Sequence, residues 1–76
     1  MNKQNRKQLE KAVALIAQAQ EIVETIKDEE QEKFDNLPES LQQSEKGEQF
    51  EENISALEDA LGDLESATEN INTTAE

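Results

Sequence analysis

Two long runs of apolar residues at helical spacing, separated by one proline-containing break, predict an all-α chain folded as an antiparallel two-helix hairpin over 1–76. A third observation adds a second copy. Among the 76 residues only 16 side chains are large and apolar: seven Leu, five Ile, two Val and two Phe. That is a thin core for a chain near the size at which one domain barely stabilises itself. The hairpin is therefore expected to form a homodimer, a four-helix bundle.

The first helix is read over about 5–33. Leu9, Ala12, Ile16, Ala19, Val23 and Ile26 recur at steps of three and four, and Val13, Leu15 and Ile22 widen the stripe on its flanks. No Gly or Pro interrupts this stretch, and its filling of Gln, Lys, Glu and Ala favours helix. At Glu30 and Lys33 the seam turns polar, so the apolar face is expected to end before the helix does, with Phe34 and Leu37 closing it.

The break is read over about 34–43. Pro38 disfavours helix at Leu37 and itself suits a first helical turn. Ser40 with Gln43 fits a capping box and Ser44 is a second candidate cap, which predicts a short helical turn ahead of the second long helix.

The second helix is read over about 44–72. Phe50, Ile54, Leu57, Leu61, Leu64, Thr68, Ile71 and Ala75 alternate steps of four and three, the a and d positions of a heptad. Ala60 and Ala67 adjoin that seam at equivalent heptad sites, where small side chains let further helices approach. Gly62 falls on the polar side. The oligomer core is assigned to Leu9, Ile16, Val23, Ile26, Ile54, Leu57, Leu61, Leu64 and Ile71. Closing one hairpin leaves Val13, Leu15, Ile22, Ala60 and Ala67 partly wet, which favours self-association.

Seven basic and 19 acidic residues give a net charge of −12. This balance excludes direct binding to nucleic acid or to an anionic membrane. The charge is unevenly placed. Residues 1–11 hold Lys3, Arg6, Lys7 and Lys11 against Glu10, a net of +3, whereas residues 28–52 hold ten acids and only Lys33 and Lys46, a net of −8. The turn end is the acidic pole, which reads either as a solvating face with no partner or as a surface that imitates the phosphate array of DNA. Folding the hairpin brings the basic start near Asp63, Glu65 and Glu69; antiparallel pairing of two hairpins would lay it over the acidic pole of the other copy. No stretch approaches the length of a membrane span, and the basic start leads into an amphipathic pattern rather than an apolar signal region, so the expected location is intracellular.

Cysteine and histidine are both absent, which removes thiolate and imidazole chemistry and the usual zinc and haem ligands. Asp28–Glu39 places acids at positions 1, 3, 5 and 12 of a calcium-loop register, but Lys33 stands where that loop needs Gly, and the segment continues a helical pattern. Gly47 and Gly62 are isolated and build no phosphate-cradling loop. A small-anion or nucleotide sponge would need convergent Lys and Arg, and only the four near the N-terminus are present. The chain is read as non-enzymatic, without metal or cofactor.

At the turn, Phe34-Asp35-Asn36-Leu37-Pro38-Glu39-Ser40-Leu41-Gln42, followed by Ser44-Glu45-Lys46-Gly47-Glu48 and a Leu-Glu-x-Ala helix (Leu57–Ala60, Leu64–Ala67), resembles an uncharacterised family of small acidic proteins of bacteriophages and prophages. The resemblance covers roughly 28–72 and brings no active site. It implies a location in the cytoplasm of a bacterial host and a role in binding and modulating a host protein through a basic surface, DNA mimicry included. A structural or scaffold bundle without inhibitory role is the alternative. The partner-binding residues expected on this reading are Phe34, Asp35, Leu37, Glu39, Leu41, Glu45, Glu48, Phe50 and Glu52, an apolar knot inside an acidic rim.

Overall fold

A computed structural model describes residues 1–75 as a helical hairpin: α1 (Lys3–Asp35), a one-turn helix α2 (Glu39–Gln42) and α3 (Glu45–Ala75). The long helices α1 and α3 pack antiparallel along their length, and α2 packs on α3. The result is a rod of 58 × 15 × 12 Å, only one layer of helices thick.

Each boundary has a local cause. Asn2 has extended backbone, and its side-chain oxygen accepts from the Asn5 N–H at 2.7 Å while its carbonyl accepts from the Arg6 N–H at 3.1 Å. This polar cap starts α1 two residues ahead of the predicted onset, because capping precedes the apolar stripe. At the other end the Asn36 N–H donates to Glu32 at 3.0 Å and the Leu37 N–H to Phe34 at 3.1 Å. The helix then stops before Pro38, two residues later than the polar seam predicts.

The short helical turn exists, but its cap differs from the expected one. Pro38 occupies the N-cap position of α2, with φ −55° and ψ 146° and no side-chain cap bond, and Ser40 lies inside the helix. The Pro38 carbonyl accepts from Leu41 at 2.8 Å and from Gln42 at 3.0 Å. A fixed proline φ thus starts the turn without a capping box. Ser44 does stand at the start of α3: its carbonyl accepts from the Glu48 N–H at 3.0 Å, while its hydroxyl donates back to the Leu41 carbonyl.

Of the positions assigned to the core, Ile26 departs: it is 42% exposed, because it sits at the edge of the stripe on an open groove between α1 and α3. Among the described residues Ile54 is the single buried large apolar one, at 8% exposure. Leu9, Ile16, Val23, Leu57, Leu61, Leu64 and Ile71 are half-buried. Thr68 fits an otherwise apolar seam because its hydroxyl donates to the Leu64 carbonyl at 3.1 Å. Gly62 faces open space.

Candidate functional site

The turn is tied by two contacts. Gln42, the last residue of α2, reaches back so that its Nε2 donates to the Phe34 carbonyl at 3.1 Å and to the Leu37 carbonyl at 3.2 Å. These are carbonyls at and just past the end of α1, where intrahelical partners run out. Gly47, in the first turn of α3, is buried against the same residue: a Cβ there would stand 2.0 Å from the Gln42 carbonyl oxygen and 2.8 Å from its Cα. Only a residue without a side chain lets α3 begin this close to α2.

Neither role is read from the sequence, where Gly47 is merely isolated. A helix-disfavouring residue in the first turn of a strongly heptad-patterned helix was the available signal. Both residues fall inside the two sequence blocks that single out the turn.

On this frame Phe34, Leu37 and Phe50 are half-buried and Leu41 remains 42% exposed. Asp35, Glu39, Glu45, Glu48 and Glu52 are all exposed around them. Glu45, Glu48 and Glu52 line one side of α3 with Gln49 in a polar groove, and Phe50 borders an adjacent shallow groove with Lys46, Gln49 and Asn53. The predicted partner residues are thus brought to one end of the rod.

The acids there have different local standing. Glu39, Glu45 and Glu48 sit in first helical turns, where the macrodipole favours them. Glu32 and Asp35 lie in the last turn of α1, where it disfavours them, and Lys33 is the basic residue of that turn. Asp35 accepts from Gln31 Nε2 at 3.0 Å, and Lys33 pairs with Glu30 at 3.9 Å.

A second surface lies along the stem. Leu15 is 56% exposed, Ile22 61% and Ile26 42%. Ile22 and Ile26 line a shallow groove with Glu21 and Thr25; across the next groove Ile26 and Glu30 meet Asn53, Ala56 and Leu57 of α3. Ala60 and Ala67 follow Asn53 at heptad intervals, which sets them on the side of α3 that Ile26 approaches. One side of the hairpin is therefore an open apolar face, a surface for a partner or for self-association.

Among the described residues the ion pairs Lys27–Asp28 and Lys33–Glu30 both lie within α1, and none joins Lys3, Lys7 or Lys11 to Asp63, Glu65 or Glu69. No group of acids among the described residues is placed to hold a metal ion, and no helix of these residues is long and apolar enough to cross a membrane. No family model, curated protein or solved structure matches the chain.

Proposed function

We propose that the protein is a non-enzymatic binding module of the bacterial cytoplasm, a self-associating helical rod whose acidic turn engages a basic surface on a host protein. The observation that carries this reading is the construction of the turn. A clamped, closely packed connection holds Leu41 open beside five exposed carboxylates. An apolar anchor inside a charged rim is the usual anatomy of a protein-binding patch. Glu45, Glu48 and Glu52 follow one another at rises of roughly 4.5 and 6 Å along α3, a row of fixed negative charges of the kind a phosphate-binding groove accepts. On this account the protein imitates DNA to occupy such a groove.

The test uses two charge-neutralised sets and the protein as bait in lysate of a phage host. Glu39→Gln, Glu45→Gln, Glu48→Gln and Glu52→Gln together leave the hairpin folded, because exposed charges contribute little, yet remove salt-sensitive capture of a DNA-binding protein that duplex DNA also displaces. Asp63→Asn, Glu65→Gln and Glu69→Gln together leave capture in place. Capture lost only with the second set, or recovery of phage structural proteins alone, overturns the reading; the latter result favours a scaffold built on the apolar face.

A further inference from the structure

We infer that the open apolar face docks a second copy of this chain head to tail, about a twofold axis that crosses α1 between Ala19 and Ile22 and α3 between Ala60 and Leu64. The inference deepens the self-association named above and rests on it; the acidic-pole binding stands or falls separately.

Area points to a second layer. The accessible surface is 5757 Å², whereas a folded monomer of this mass exposes about 4,700 Å². The surplus, about 1,000 Å² per chain, is close to one partner's share, about 800 Å², of a standard-size interface. The radius of gyration is 17.2 Å against about 11 Å for a compact chain of this length. A single helical layer with one buried large side chain among the described residues lacks the second layer that closes a core.

Shape supplies the register. On α1 the stripe is Leu15, Ala19, Ile22 and Ile26; on α3 it is Leu57, Ala60, Leu64 and Ala67. The midpoint of each falls at the same level of the rod to within about a turn, because one groove gathers Ile26 and Glu30 of α1 with Asn53, Ala56 and Leu57 of the antiparallel α3. One twofold axis therefore serves both stripes. It sets Leu15 against Ile26 of the second copy, Ala19 against Ile22, Leu57 against Ala67 and Ala60 against Leu64, so that three of the four pairings put a large side chain over a small one. A twofold interface requires this self-complementarity.

Shape alone also admits the turn-to-turn arrangement, in which α1 lies over α3 of the second copy. Charge decides between them. Turn to turn, the segment 28–52 with net −8 meets its own copy, and the basic starts meet each other. Head to tail, Lys7 and Lys11 come level with Glu29, Glu30, Glu32 and Asp35 of the second copy. Glu32 and Asp35 are the two of these that the α1 dipole disfavours, and Lys3, Lys7 and Lys11 make no ion pair within the chain among the described residues.

Light scattering at micromolar concentration is expected to give a dimer. A spin label on Ser40→Cys, an exposed position in α2, is expected to report a distance between copies of roughly 50–60 Å, since each turn lies about 20 residues of helix rise from the axis. The turn-to-turn dimer would give about 20–30 Å with hairpins packed side by side. Lys3→Gln, Lys7→Gln and Lys11→Gln together are expected to weaken dimerisation roughly 10-fold at low salt and to abolish its salt dependence. A monomer overturns both the inference and the self-association beneath it. A dimer with the short distance, or one that tightens when the lysines are neutralised, overturns the head-to-tail orientation alone.

Discussion

At the turn the chain is fixed by directional bonds: Gln42 holds the Phe34 and Leu37 carbonyls, and Gly47 admits α3 against the Gln42 backbone. Along the stem the only specification is apolar periodicity, and there Leu15 and Ile22 stay more exposed than buried. The turn is complete within one chain, whereas the stem leaves one apolar face open. Local bonds set the direction of α3, and the heptads set what it then packs against, so disturbing the two regions should produce different kinds of failure.

The largest effect is expected in the stem. Leu61→Asp puts a charge without a partner into the seam between α1 and α3, at a cost of about 3–5 kcal/mol once the bundle closes. Helicity by circular dichroism and mass by light scattering should fall together, because a hairpin with so little core does not outlast the loss of assembly. A variant that stays helical and dimeric would show that Leu61 lies outside the seam.

Gly47→Ala tests the turn. Its Cβ would meet backbone, the Gln42 carbonyl at 2.0 Å, so no side-chain rotation relieves the overlap and α3 must lift from α2. Overpacking of this sort costs about 1–3 kcal/mol. The expected signature is a fall in the unfolding midpoint with faster amide exchange confined to 34–50, while the dimer persists at high protein concentration. Equal loss of protection along the whole stem would mean that the turn and the stem form one cooperative unit and that the contrast between them is false.

Most of the architecture was legible because it rests on periodicity. The heptads of α3 and the stripe of α1 are readable at helical spacing, and Pro38 marks the break by its own covalent geometry. Boundaries slipped by two or three residues where polar caps such as Asn2 extend a helix past its apolar face. The turn was legible as a turn but not in its mechanism. Its determinants are a side-chain amide reaching eight residues back and a backbone approach of α3 to α2, and neither leaves a periodic trace. The candidate partner residues were found by type, acids around apolar side chains; that Glu39, Glu45 and Glu48 fall in first helical turns, where the dipole favours them, required the helix ends.

The smallest effect also sharpens the contrast, because it makes the same substitution at the other glycine. Gly62 lies in the interior of α3, and a Cβ there meets nothing within 4 Å. With no neighbour to displace, Gly62→Ala changes only backbone entropy and helix propensity, and stabilises the folded chain by about 0.5–1 kcal/mol. The site is on the polar side, away from the stripe formed by Leu57, Ala60, Leu64 and Ala67, so the mass in solution should be unchanged. Thermal unfolding monitored at fixed protein concentration reads the gain, since the midpoint of a dimer moves with concentration. Opposite signs at Gly47 and Gly62 would establish that one glycine is required by a contact and the other by none. A destabilising Gly62→Ala would instead place an unseen neighbour on the outer face of α3, and the second copy would then have to dock there rather than on the face that carries Leu15 and Ile22.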